Sequence, residues 1–357
     1  MPRNRVIYQN EGLFVGPEVG DIAGSLEYVQ SIDYDFSIPK EGAGILGKAS
    51  SIDKYAAGVP TASLTINYIP NSFENEELIK LDVSKNILDW PVTSGISSET
   101  NRHKDKRNIY LATAKDGKDL NGLSIDDVSG VLSFHTCRLE SYSFSAGVGS
   151  LPQGSMSFTA DDANYFISGQ DLDMPILNRR TRDVTGSFNI TLPKDGSDKV
   201  IMSSEGDITL PENISISITD STEDTTFVDI KNDSVQNFSV NFSLPRSPVT
   251  YVGHKMNIDN LIAYPTEVSS SIELIANEGQ ISGFNDFIKD DPRYKISVDI
   301  KKAGGTKKMR YTLKNATIDE ISYGMSVGDT RKTVNLQLST ELDPLDTNQG
   351  LFLSGTL

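Results

Sequence analysis

The chain has 357 residues, in which 33 Lys plus Arg face 49 Asp plus Glu for a formal charge of −16, and it carries three His, one Cys and one Trp. That acidity excludes wrapping nucleic acid through phosphate contacts, which requires clustered cations on one face, and a single cysteine excludes an intrachain disulfide. No stretch approaches the roughly 18 consecutive apolar residues of a membrane-spanning helix, and Met1–Tyr8 lacks the apolar run of a secretion signal, so the expected setting is reducing and away from membranes.

In chain order, residues 1–24 read as an N-terminal arm. Val29-Gln30-Ser31-Ile32-Asp33-Tyr34-Asp35-Phe36-Ser37-Ile38-Pro39 alternates apolar with polar and stops at a proline, the pattern of a half-buried strand. A long loop follows over 40–58, then a second strand over Thr61–Tyr68. Glu74–Leu81, after Asn71-Ser72, predicts a short helix. Trp90-Pro91 is expected to anchor an insertion against the core. Leu139–Ser145 and Met156–Phe158 form a returning strand pair. Residues 166–230 carry strand-like runs at Ser187–Leu192 and Ile214–Ile218, separated by the turn chemistry of Lys194-Asp195-Gly196 and Pro211-Glu212-Asn213, and read as a connecting or inserted β segment.

At Val235 the pattern starts again. Val29, Gln30, Phe36, Ser37 and Pro39 reappear at one fixed spacing as Val235, Gln236, Phe242, Ser243 and Pro245. The same spacing continues through Gly47 and Gly253, Ile52-Asp53 and Ile258-Asp259, Ala57 and Ala263, Ser63 and Ser269, Ile66 and Ile272. Leu139–Gly149 likewise aligns with Ile318–Gly328, and Gly283–Ile288 offers a second short helix. These matches predict an internal duplication, with one copy over 25–165, a second over 231–340 and a C-terminal arm over 341–357. The fold class expected is mostly β.

Chemistry-bearing patterns are few. Gly42-Ala43-Gly44-Ile45-Leu46-Gly47 has the G-x-G-x-x-G spacing of a dinucleotide fingerprint, but no helix pattern follows to receive phosphates, so it reads as a loop. His135-Thr136-Cys137 places a histidine and a thiol on one strand face without a signature for an orienting group or oxyanion site, and reads as sheet packing. Cys137, His103, His135 and His254 offer no zinc spacing. The acidic pairs Asp126-Asp127, Asp161-Asp162, Asp171/Asp173 and Asp290-Asp291 lack calcium-loop spacing and read as solvated carboxylates near turns. No catalytic residue, metal site or cofactor is expected. A basic hairpin, with Lys301, Lys302, Lys307, Lys308 and Arg310 around a Gly304-Gly305 turn, suits either a protected sheet edge or contact with an acidic neighbouring copy. Asn101–Arg107 is a second basic stretch.

The segment from Val29 to Pro39, the loop carrying Gly47 and Ile52-Asp53, the strand from Gly58-Val59-Pro60 to Tyr68, and the return pair Leu139–Phe144 and Met156–Phe158 together resemble the tail tube proteins of long-tailed bacteriophages and their relatives in tail tips and baseplate hubs. The resemblance implies two tandem β-sandwich or barrel modules with short flanking helices. Family members with one module form hexamers, so two modules per chain imply homotrimeric, pseudo-hexameric rings that stack into a tube. It also implies ring-stacking loops over 40–58 and 246–264, with Gly42, Gly44, Gly47, Ile52, Asp53, Gly253, Ile258 and Asp259 as candidate contacts. Other tail proteins at the tip or baseplate, the terminator and a sheath are the implied partners. Viral DNA would pass an acidic lumen without specific binding, in a virion assembled in the bacterial cytoplasm. Two other readings compete: a hub or adaptor ring of the same fold that does not polymerise, and a carbohydrate-binding or carbohydrate-cleaving β-sandwich, which Trp90 as the sole tryptophan supports weakly.

Overall fold

The computed structural model describes residues 11–17, 24–44, 46, 50, 53–56, 60–84, 106–115, 128–167, 172–177, 183–190, 214–220, 226–230, 235–252, 257, 259–275, 293–301, 308–324, 333–343, 346 and 348–355. The fold is mostly β, as expected from the alternating sequence. The strands are β1 (Glu11–Pro17), β2 (Gly24–Ser25), β3 (Val29–Ser37), β4 (Lys40–Ala43), β5 (Asp53–Ala56) and β6 (Thr61–Tyr68), then helix α1 (Glu74–Leu78). They continue as β7 (Val83–Ser84), β8 (Arg107–Ala114), β9 (Val128–Gly147), β10 (Gln153–Ala160), β11 (Asp162–Ile167), β12 (Leu172–Leu177) and β13 (Val184–Ile190). The remainder are β14 (Ile214–Asp220), β15 (Thr226–Ile230), β16 (Val235–Ser243), β17 (Arg246–Val249), β18 (Asp259–Ile262), β19 (Thr266–Ile275), β20 (Tyr294–Lys301), β21 (Lys308–Gly324), β22 (Thr333–Leu342) and β23 (Gly350–Gly355).

Eight strands form one antiparallel inner sheet in the order β3, β6, β10, β9, β16, β19, β22, β21. Strict alternation of small polar and apolar residues gives this sheet one core face and one polar face. Leu64 and Ile66 of β6, Met156 and Phe158 of β10, Ile272 of β19 and Leu336 of β22 all point into the core.

Two outer sheets cover that core. One pairs β1 with β2 and β8, β8 with β9, and β9 with β11. The other pairs β15 with β14, β14 with β20, β20 with β21, β21 with β23, and β23 with β7 in parallel. β9 and β21 each belong to an outer sheet in their first part and to the inner sheet in their last. Each changes layer at a left-handed residue, Thr136 and Asn315, both with φ of 55°. Such geometry is unfavourable for a β-branched residue and needs support. At the first bend the Thr136 backbone N–H donates to Asn108 Oδ1 at 2.9 Å, and at the second Asn315 Nδ2 donates to Gln349 Oε1 at 3.1 Å.

The two sets of strands repeat in pairing and in irregularity. Gln30 and Gln236 are skipped at bulges where β3 meets β6 and β16 meets β19. Glu140 and Asp319 are skipped where β9 meets β10 and β21 meets β22. The loop hairpins share one register, Lys40 opposite Ala56 and Ala43 opposite Asp53 in β4–β5, Arg246 opposite Ile262 and Val249 opposite Asp259 in β17–β18. β1 lies within residues 1–24 and β23 within 341–357, and both are core strands, with Leu13, Phe14, Leu351 and Leu353 buried. Within 166–230, β12 and β13 form their own two-stranded ladder, whereas β14 takes the place beside β20 that β1 takes beside β8.

Helix α1 is shorter than the expected 74–81. Lys80 has φ 69°, and the N–H groups of Lys80 and Leu81 bond to the carbonyls of Glu77 and Glu76 at 3.0 Å each, a Schellman ending built without glycine. The second predicted helix at 283–288 and Trp90 lie outside the described residues.

Candidate assembly edges and polar sheet face

The polar face of the inner sheet is built from short side chains. Reading across all eight strands at one register level, the residues are Ser31, Asn67, Ser155, Ser143, Asn241, Ser269, Ser339 and Thr317. Each is a hydroxyl or an amide. Several bond laterally: Asn67 Nδ2 donates to Ser31 Oγ at 2.9 Å, Ser269 Oγ donates to Asn241 Oδ1 at 2.7 Å, and the hydroxyls of Thr317 and Ser339 lie 3.1 Å apart. Carboxylates flank this row at Asp33, Asp35, Glu267, Glu273, Glu320 and Glu341. Among the described inner-sheet residues the sole basic side chain is Arg138, which is buried and forked onto Asp161 at 2.9 and 3.3 Å. The face is therefore neutral to acidic along its whole width.

The middle seam of the sheet joins β9 to β16. On its core side Ala146 faces Phe238, Phe144 faces Val240 and Tyr142 faces Phe242. The Tyr142 and Phe242 rings stack with centroids 5.4 Å apart. On its polar side the pairs are Gly147–Asn237, Ser145–Ser239, Ser143–Asn241 and Ser141–Ser243, all uncharged. The counterparts of these two strands are β3 and the inner part of β21, the first and last strands of the sheet. Among the described residues each of these has a partner on one side only, β6 and β22. Their core-side residues show it: Tyr34 is 55%, Phe36 43% and Tyr323 42% exposed, whereas the counterparts Val240, Phe242 and Phe144 are at most 3% exposed.

The seam has a second clasp. The Arg246 guanidinium, at the base of β17–β18, donates from Nε and Nη2 to the Leu139 carbonyl at 3.3 and 3.2 Å, and Leu244 N donates to Glu140 O at 2.6 Å. The segment read as a long loop over 246–264 thus contains a hairpin, and its root grips the adjacent strand β9 sideways. Of the candidate ring-stacking residues, Gly42 and Asp53 sit in β4 and β5, Gly44 just beyond β4 and Asp259 in β18. Gly47, Ile52, Gly253 and Ile258 lie outside the described residues. At Gly44 an added Cβ would meet nothing within 4 Å, so space does not demand glycine there.

The strands flanking the basic turn, β20 and β21, pair antiparallel with Lys301 opposite Lys308. Arg310 is engaged within this pair, its Nε and Nη2 donating to Asp299 at 2.5 and 2.9 Å. Lys302, Lys307 and the Gly304-Gly305 turn lie outside the described residues. Of the second basic stretch, Lys106 and Arg107 are buried in or beside β8.

One acidic expectation is corrected. Asp161 and Asp162 are not solvated but 4% and 5% exposed, because the turn between β10 and β11 folds inward onto Arg138. Asp126, Asp127, Asp171, Asp290 and Asp291 lie outside the described residues. His135 and Cys137 are both buried; His135 Nε2 lies 3.0 Å from Ser133 Oγ, and Cys137 Sγ donates to the Phe134 carbonyl at 3.4 Å. Burial pushes the thiol far above its ordinary range and lowers the imidazole, so neither is poised as nucleophile or acid at neutral pH.

The sequence did not point to a carboxyl cluster that ties the two strand sets together. Glu76 of α1 is fully buried, and its Oε1 accepts from the hydroxyls of Tyr68 and of Tyr142, the latter at 3.0 Å. Tyr311 of β21 bonds to Tyr142 at 3.0 Å and stacks on Phe144 at 4.7 Å between centroids. Burial raises the Glu76 carboxyl from 4.5 to about 7, and burial holds all three phenols well above their usual range. No group of three or more His, Cys, Asp or Glu among the described residues is placed to hold a metal ion, and no described helix is long and apolar enough to cross a membrane.

No protein-family model matches the sequence, and no curated protein matches it. Among solved structures, a chain from the cryo-EM structure of the anti-feeding prophage (AFP) baseplate, 6-fold symmetrised, aligns over 43% of this chain and 99% of its own. The TM-score is 0.30 and the identity 14%. With so loose a superposition, the reading of function rests on the sheet itself.

Proposed function

We propose that the chain is a structural, non-enzymatic subunit of a bacteriophage tail tube, with two modules arising by duplication. Three copies close a ring edge to edge, rings stack, and the polar face lines a lumen that viral DNA crosses without specific binding. The phage context comes from the sequence resemblance. The observation that carries the reading is the eight-stranded sheet, whose middle seam joins the counterparts of its two open edges. A sheet of this kind repeats its own seam when β21 of one chain meets β3 of the next, and closure removes every open edge. The lumen role is supported by a face without exposed cations among the described residues, which offers phosphates hydroxyls, amides and repelling carboxylates.

Copying the middle seam onto the open edges sets Tyr34 of one chain opposite Tyr323 of the next, as Val240 stands opposite Phe144. In the Tyr34→Cys/Tyr323→Cys variant, mild oxidation is expected to give covalent trimers on a denaturing gel, with neither single variant doing so. The buried Cys137 does not compete. Oxidation that leaves only monomers at both low and high salt overturns edge pairing. Electron microscopy then separates stacked tubes from isolated rings, the latter favouring a tip or hub adaptor.

A further inference from the structure

We propose that the seam between chains, unlike the seam within the chain, is held open by its own carboxylates and closes on a second copy of this chain only when those charges are screened. The inference rests on the edge pairing proposed above and adds a condition to it. The two seams share one backbone geometry but differ in charge. Within the chain, the paired residues on the polar side of β9–β16 carry no ionisable group, and the one exposed carboxylate at its bulge, Glu140, the counterpart of Asp319, stands next to the Leu139 carbonyl that Arg246 grips. At the same register between chains, Ser37 would face Glu320, Asp35 would face Ser322, and Asp33 would stand opposite Gly324.

Asp35 and Glu320 are then diagonal neighbours, within the reach at which like charges destabilise a strand pair. Asp319, at the β21 bulge, adds a fourth exposed carboxylate to the same line. Among the described residues, the cation that the inner seam would put in reach is Lys40, the counterpart of Arg246. One lysine against four carboxylates leaves the seam acidic.

The apolar side pulls the other way. Tyr34, Phe36 and Tyr323 are exposed in the isolated chain and would be covered on closure. Attraction by burial is insensitive to dilute salt, while repulsion across a few ångströms at an exposed edge falls as the Debye length shrinks from about 10 Å at 0.1 M toward 3 Å at 1 M. Charged edges are also the common guard against uncontrolled sheet growth. The chain therefore stays apart in dilute salt and assembles where ions, or a preformed acceptor edge, offset the repulsion.

The test is sedimentation velocity of the full chain in about 50 mM and about 500 mM NaCl, alongside Asp33→Asn/Asp35→Asn/Glu320→Gln. Association of the wild-type chain is expected to strengthen about tenfold with salt. The neutralised chain should associate in low salt as the wild type does in high salt, and lose most of its salt response. If the neutralised chain keeps the full salt response, these carboxylates are not its source and the charge condition is overturned. If the wild type associates equally in both salts while the double-cysteine chain still crosslinks, the charge condition alone fails. Monomers in every condition, with no crosslink, overturn the edge pairing itself.

Discussion

Glu76 sits among Tyr68, Tyr142 and Tyr311 with its second oxygen, Oε2, unpartnered among the described residues. A carboxyl that titrates near 7 when folded and near 4.5 in water holds its proton more tightly in the folded chain. The stability it contributes is full below pH 4.5 and is lost as pH rises to about 7, with a size of about 3 kcal/mol. Glu76→Gln, read by chemical denaturation across this window, is expected to flatten the decline and to be the more stable protein at pH 8. A wild-type stability that rises through the window would refute the assignment. Gly154 is the second decisive residue. An added Cβ would lie 2.4 Å from the Tyr68 ring, so Gly154→Ala should displace Tyr68 from Glu76 and cost about 1–3 kcal/mol, measured as a lowered denaturation midpoint.

At the scale of elements, β9 and β21 define the architecture through their bends. Asn tolerates the left-handed region better than a β-branched residue, which at Thr136 is held there with its N–H bonded to Asn108, so Asn315→Val is expected to cost about 1–3 kcal/mol in an unfolding titration while keeping the strand pattern by circular dichroism. These bends were not legible in the sequence, because Thr136 and Asn315 lie inside long alternating runs and nothing local marks a change of layer. The alternating strands themselves were legible: β6, β10, β16, β19 and β22 have one buried side each, which writes a period of two into the sequence, and β3 carries the same alternation although its apolar side is open at the sheet edge. β1 and β23 were hidden for the opposite reason. Glu11–Pro17 and Gly350–Gly355 each have a short, nearly continuous buried stretch, Leu13-Phe14-Val15 and Leu351-Phe352-Leu353, which carries no periodicity. Helix α1 was found but overrun by three residues, since its left-handed stop is a lysine rather than a glycine.

For the whole molecule, the fixed spacing between Val29–Pro39 and Val235–Pro245 marked two segments that both become inner-sheet strands, β3 and β16, but the stretches read as long loops after them turned out to contain the hairpins β4–β5 and β17–β18. The spacing did not reveal which strands would meet, since pairing between sets depends on contacts far apart in the chain. The exposed Tyr34 and Tyr323 read in sequence as ordinary strand residues, and only the sheet order identifies them as the two ends of one ladder. The Asp161–Arg138 pair was equally invisible, because its partners are brought together by the turn after β10. The same sheet order ties the crosslinking and salt experiments together: the seam within the chain is built in, and the proposed seam between chains is the one both experiments probe.

β9 and β21 also have a mechanical consequence. Because each strand is woven through both layers, the inner sheet cannot slide against the outer sheets by slipping side chains past one another. A load dragged along the polar face passes through Thr136 and Asn315 into covalent backbone, and from there into β8, β11, β20 and β23. Shear is thus carried by peptide bonds at two points per chain rather than by packing alone, so the layers would yield by strand extraction and not by gliding.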